Sequence, residues 1–155
     1  GNRRGLSEAL GLEQAVKALQ PMVALAEEHG VVLQMELFNS LVDHPDYMAD
    51  SSRWGIELAR ALNSPSFKLL YDIYHMQIME GNLVANIKEN HQWYGHYHVA
   101  GVPGRNEPWE AQEINYPAVM AAIESTGFEG YVALEYLFTE PKKESMARSF
   151  TEFIR

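Results

Sequence analysis

Phe67-Lys68-Leu69-Leu70-Tyr71-Asp72-Ile73 decides how this sequence is read. It is a mainly apolar run of strand length with a carboxylate near its C-terminal end. Similar runs lie to either side, at Val31–Leu37, Tyr94–Ala100 and Tyr131–Tyr136. Helical patterns separate them. Trp54–Leu62 ends near Asn63-Ser64-Pro65, Leu83–Glu89 follows the second run, and Pro117–Ser125 has Asn115 as a cap and Gly127 just beyond. Glu144–Ile154 forms a last helix. Before the first run, Leu12, Val16, Leu19, Val23 and Ala26 recur at helical spacing, and Gly30 stops them. Pro21 falls inside this stretch and is expected to kink it or to begin a second helical segment. The order is one helix, then four βα units, in one domain over residues 1–155. Such alternation implies an α/β fold with a parallel sheet and right-handed crossovers. An open doubly wound sheet could begin with a helix in this way, whereas four strands cannot close a barrel that ordinarily has eight.

Composition narrows the function classes. Hydrophobic residues make up 46% and charged residues 21%, so the chain has enough apolar surface to build a core. No apolar run approaches the ~20 residues of a membrane span. Gly1-Asn2-Arg3-Arg4-Gly5 is not followed by the apolar core of a signal peptide. The expectation is therefore a soluble, cytoplasmic protein. There are no cysteines, which excludes disulfides, zinc–thiolate sites and thiol nucleophiles. The net charge of −9 disfavours binding to nucleic-acid phosphates. Neither a phosphate-cradling glycine loop nor a Gly-x-Ser-x-Gly nucleophile motif occurs.

In a parallel sheet, ligands gather at the C-terminal strand ends. Those ends carry Glu36, Asp72, His98 and Glu135. Side chains alternate along a strand, so Gln34 shares a face with Glu36, Leu70 with Asp72, His96 with His98, and Ala133 with Glu135. An unpaired carboxylate in an apolar strand costs several kcal/mol to bury, on the order of the transfer penalty for a polar group or more. Three of them at one sheet edge call for a cation. Three carboxylates and one imidazole form a mainly oxygen donor set, suited to Mn²⁺ or Mg²⁺, with Co²⁺ or Zn²⁺ also compatible. Taken singly, Glu36 and Glu135 also fit surface ion pairs, Asp72 a helix cap and His96 a core position. His75 would reach into the mouth from a loop. Arg105, after Pro103-Gly104, is placed to hold an anion or a carboxylate. Glu107 and Glu113 are expected to face solvent, and Trp54, Trp93 and Trp109 to pack.

Several strings resemble the xylose isomerase-like TIM barrel superfamily, and its hydroxypyruvate isomerases most of all. They are Asp72-Ile73-Tyr74-His75-Met76-Gln77, Gly95-His96-Tyr97-His98, Val102-Pro103-Gly104-Arg105-Asn106-Glu107-Pro108 and Gly130-Tyr131-Val132-Ala133-Leu134-Glu135-Tyr136. Glu36-Leu37-Phe38-Asn39 is similar to the segment that carries the metal glutamate on the family's fifth strand. The resemblance implies strands five to eight of a (β/α)8 barrel, a partial TIM barrel with Gly1–Gly5 as the loop after a fourth strand. It implies metal ligation by Glu36, Asp72, His98 and Glu135, proton shuttling by Glu36 and Glu135, and substrate contact by His75 and Arg105. The activity implied is a metal-dependent isomerase of a small hydroxy-carbonyl substrate. Many hydroxypyruvate isomerases carry Gln where His98 stands, whereas the superfamily's sugar epimerases carry His. The alternatives are a sugar 3-epimerase, a catalytically silent half-barrel that serves as an assembly module, and an endonuclease of the same superfamily, which the acidic charge disfavours. A half-barrel leaves two sheet edges open, so the expected partner is a second copy in a homodimer or a complementing N-terminal half-barrel.

Overall fold

The computed structural model describes residues 1–109 and 111–153. Helix α1 (Glu8–Glu28) is followed by β1 (Leu33–Glu36), α2 (Ser52–Leu62), β2 (Phe67–Asp72), α3 (Ile73–Met79) and α4 (Leu83–Asn90). A 3-10 turn (His91–Trp93) then leads to β3 (Tyr94–Val99), α5 (Tyr116–Ser125), β4 (Tyr131–Leu134) and α6 (Lys142–Phe153). The four strands lie in chain order and every pairing is parallel. This is the partial barrel read from the sequence. Among the described residues no helix is long and apolar enough to cross a membrane.

Side-chain caps set the helix starts. Ser7 Oγ accepts from the Leu10 amide, Ser51 Oγ from Trp54, and Asn115 Oδ1 from Ala118. Asn63 ends α2 in the left-handed conformation that Asn tolerates. Pro21 does not divide α1, which runs unbroken from Glu8 to Glu28. Helix α3 starts directly after β2 with Asp72 as its cap, one of the roles open to that residue, and it corrects the expectation that His75 reaches into the mouth from a loop. Ile154 of the expected last helix lies outside the described residues.

The core lies between the sheet and the helices. Leu37, Leu58, Leu69, Tyr71, Ile87 and Tyr97 are fully buried there. Burial of each large apolar side chain contributes about 1.5–3 kcal/mol. Tyr71, Tyr94 and Tyr97 pack ring against ring on this helix-facing side. That places Lys68, Leu70 and Asp72 of β2 on the opposite face, where the site is built.

A bulge in β3 sets the phase of that face. Leu69 pairs with Tyr94, yet Leu70 pairs with His96, so Gly95 has no partner in the register. Tyr94 and Tyr97 can thus both turn to the helices, although they are three positions apart, and His96 and His98 share the other face. A Cβ at Gly95 would lie 2.6 Å from Gln34 Nε2 and 2.8 Å from Lys68 Cβ. Glycine is needed because the neighbouring strands close over this position.

Candidate active site

Each of the four strand-end residues offers one ligand atom, and these atoms all lie within 4.8 Å of one another. In a flat sheet, β1 and β4 would stand about 14 Å apart, three steps of about 4.8 Å. Curvature of the sheet and the reach of two glutamates bring the outer carboxylates over the inner pair. His98 Nδ1 lies 3.0 Å from Glu135 Oε2, 3.5 Å from Glu36 Oε1 and 4.0 Å from Asp72 Oδ2. Despite this crowding, Glu36 Oε1 and His98 Nδ1 are buried without a hydrogen-bond partner among protein atoms. Lone-pair donors that face one another in this way suit a shared cation.

Asp72 fulfils both roles that its position allows. Its Oδ1 caps α3, accepting from the amides of Tyr74 at 2.8 Å and His75 at 3.3 Å. Its Oδ2 faces the cluster. Burial pushes its pKa up to about 7, and the nearby Glu36 carboxylate adds to this against the pull of Arg105. Burial also raises the pKa of Glu36, but His98 beside it brings the net value below the ordinary carboxylate range. For His98, the surrounding carboxylates outweigh the cost of burial and hold its pKa above the ordinary imidazole value. The cluster as a whole therefore favours added positive charge.

Arg105 supplies part of that charge. Gly104 and Arg105 both have positive φ, at 90° and 57°, and the turn they make folds the guanidinium back over the site. Its Nη2 donates to Asp72 Oδ2 at 3.3 Å and to Glu135 Oε2. The guanidinium lies 5.3 Å from the centre of the Tyr74 ring. The loop is tied down by Leu137 N, which donates to Arg105 O at 2.7 Å, and by Asn106 Nδ2, which donates to Leu137 O.

His75 lies on α3, not on a loop, and is fully buried beside Asp72. Burial, with the positive Arg105 adding to it, depresses its pKa to about 4, so the ring is neutral near pH 7. A cleft of about 510 Å³ opens next to the quartet between Val42, Asp43, His44, Tyr74, Arg105 and Glu135. The sequence alone assigns no role to Asn39, Asp43 or Tyr74. Yet Asn39 Nδ2 meets His75 Nδ1, and Tyr74 OH donates to Asp43 Oδ2. Asn39 stands within a string quoted for its resemblance, which was the one available signal.

Glu107 departs from expectation. It is buried, and accepts from Thr139 N and Oγ1, Glu140 N and Ser145 Oγ. Burial alone would raise its pKa, but these donors outweigh it and hold the carboxyl down at about 2. Glu113 is exposed as expected, and takes a hydrogen bond from Gln77.

A family model described as a xylose isomerase-like TIM barrel matches residues 1–155. The hydroxypyruvate isomerase of Escherichia coli (strain K12) is 31% identical over 121 residues, which cover 78% of this chain and 46% of that protein. The 2-oxo-tetronate isomerase of Pectobacterium atrosepticum is 34% identical over 108 residues, covering 70% of this chain and 40% of that protein. The crystal structure of AP endonuclease, family 2, from Brucella melitensis matches with a TM-score of 0.90 at 27% identity, over 98% of this chain and 58% of that one. The chain spans less than half the length of the curated relatives it matches.

Proposed function

The chain belongs to the xylose isomerase-like TIM barrel family, and from that premise we propose that it carries the metal-holding wall of an isomerase. The substrate would be a small hydroxy-carbonyl compound, of the kind named by its hydroxypyruvate and 2-oxo-tetronate isomerase relatives. One observation carries the reading: four ligand atoms from four separate strand ends converge within 4.8 Å. Two of the groups involved hold buried atoms with no hydrogen-bond partner in the protein.

Glu36, Asp72, His98 and Glu135 would hold a divalent cation, Mn²⁺ or Mg²⁺ by the oxygen-rich donor set, with Co²⁺ or Zn²⁺ compatible. When bound, the cation polarises a carbonyl and the hydroxyl beside it, and so stabilises the negative charge that develops on their oxygens. Glu36 and Glu135 come from the first and last strand ends and approach the site from different sides. One takes a proton from carbon, and the other returns a proton to the neighbouring carbon. The hydroxyl proton passes to the former carbonyl oxygen, and the two carboxyls regain their starting protonation by exchange with solvent, so the isomerisation consumes no oxidant or reductant. His75 and Arg105 would bind and orient substrate oxygens. His98 in place of glutamine favours, as a second reading, a sugar 3-epimerase. The open edges of β1 and β4 fit closure by further parallel strands, from a second copy or an N-terminal half-barrel.

The test has two parts. Calorimetric titration with Mn²⁺ should give saturable binding that weakens in Glu135→Gln. Turnover of hydroxypyruvate against ketohexoses, assayed on the chain alone and mixed with a relative's N-terminal half-barrel, should favour the oxo acid. No metal binding would remove the metal site. Metal binding without turnover in either form would leave a silent module.

A further inference from the structure

Among the described residues His75 is the fully buried imidazole beside the quartet, and its ring nitrogens face different groups. Nδ1 meets Asn39 Nδ2 at 2.7 Å, and Nε2 points to Asp72 Oδ2 at 3.6 Å. Nε2 has no hydrogen-bond partner in the protein. A neutral imidazole carries one N–H, and the group opposite decides which nitrogen bears it.

Asn39 settles that choice through its own fixed orientation. Two backbone amides, Val42 N at 3.1 Å and Asp43 N at 2.8 Å, donate to one end of its side-chain amide. Backbone N–H groups only donate, so that end is the oxygen. The NH₂ end is thereby turned to Asp43 Oδ2 at 2.7 Å and to His75 Nδ1 at 2.7 Å. Both amide hydrogens and the carbonyl oxygen are used, and the residue is fully buried, so no alternative arrangement keeps these bonds. Nδ1 must therefore accept.

We infer that Asn39 is a positioning residue that locks His75 as the Nε2–H tautomer and aims that proton at the reaction face of the quartet. His75 then serves as a hydrogen-bond donor to an electron-rich substrate oxygen, one that gains negative charge as the carbon-bound proton leaves. Three rings hold the imidazole plane: Phe38 at 5.2 Å, His44 at 5.4 Å and Tyr74 at 5.1 Å between centroids. The inference depends on the proposed isomerase only for what His75 acts upon; the tautomer itself stands apart from activity.

Long-range ¹⁵N–¹H correlation spectra of the labelled chain read the tautomer directly. In the wild type, His75 should show a protonated Nε2 and an unprotonated Nδ1. Asn39→Asp keeps an oxygen for the two backbone amides but places an acceptor opposite Nδ1, and Nδ1 should become protonated. Asp43→Asn leaves both backbone donors in place, so the wild-type pattern should persist. A protonated Nδ1 in the wild type, an unchanged pattern in Asn39→Asp, or a reversed one in Asp43→Asn would each overturn the inference. If Asn39→Asp fails to fold, the other two spectra still decide. Correct spectra with no isomerase activity would remove the proposed function and leave the tautomer assignment standing.

Discussion

Asp72 and Glu107 are both buried carboxylates, one at the end of β2 and the other on the segment between β3 and α5. Their surroundings differ. Glu107 receives four donors, from Thr139, Glu140 and Ser145, and its pKa falls to about 2. Asp72 has one oxygen satisfied by two amides, while the other faces Glu36, His98 and Arg105, and its pKa rises to about 7. A buried charge surrounded by donors is held for structure. One that shares its space with other acids suits something that binds there. The comparison separates the carboxylate that holds the loops from the one in the site that we propose does chemistry.

The largest effects should come from the crowded side. Glu135→Gln should cut turnover by about 10²–10⁴-fold, the usual worth of a positioned general acid or base, and leave the fold intact because the side chain is 47% exposed. Steady-state kinetics with thermal melts checks both halves of that statement. Asp72→Asn should still cap α3, since Asn is as good a cap as Asp. It should weaken Mn²⁺ binding by at least the roughly 100-fold that losing an outer partner of a ligand can cost, because Asp72 is itself one of the proposed ligands. Manganese at about 100 times its dissociation constant should stabilise the wild type by about 2.7 kcal/mol, and Asp72→Asn at the same concentration by far less. A melting temperature that responds equally in both proteins would dissolve the contrast drawn above.

The donor-rich side should respond in stability instead. Glu107→Ala leaves the Thr139, Glu140 and Ser145 donors without their acceptor. The expected cost is about 2–4 kcal/mol, several hydrogen bonds to a charged group less the water that replaces them. Metal affinity should fall much less than in Asp72→Asn, since the hydrogen bonds of Glu107 run to Thr139, Glu140 and Ser145 and not to the four ligands. Denaturant unfolding measured beside calorimetry would show whether the two properties part in this way.

The strands, most helices and the four converging residues were legible because period and strand-end position are local properties of the sequence. Asp72 is the instructive case. Taken singly Asp72 fits a helix cap, but the apolar run continues through Ile73 and Tyr74 without a breaker, so nothing local decides that α3 starts there. It depends on Oδ1 turning back to two amides, a geometry that exists only once β2 is in place. Glu107 reads as solvent-facing in the sequence because its donors lie 32 or more positions ahead, and no spacing rule links them. Pro21 does not begin a second helical segment, because α1 continues through it. Asn39 carried no chemical signal of its own, since its role needs the turn at Val42 and Asp43 that clamps its oxygen.

The smallest effect, and the most direct check on sign, is the response to acid. The Glu107 carboxyl is depressed from an ordinary value of 4.5 to about 2. The unfolded chain therefore binds this proton more readily than the folded one between those values. Stability that Glu107 lends is fully present above pH 4.5 and is lost as pH falls toward 2. In Glu107→Gln this contribution is absent at every pH. The difference in melting temperature between wild type and Glu107→Gln should thus stay constant above pH 5 and narrow below it. A gap that widened on acidification would mean that Glu107 is protonated more easily in the folded chain, as a crowded carboxylate would be, and the distinction between the two carboxylates would be lost.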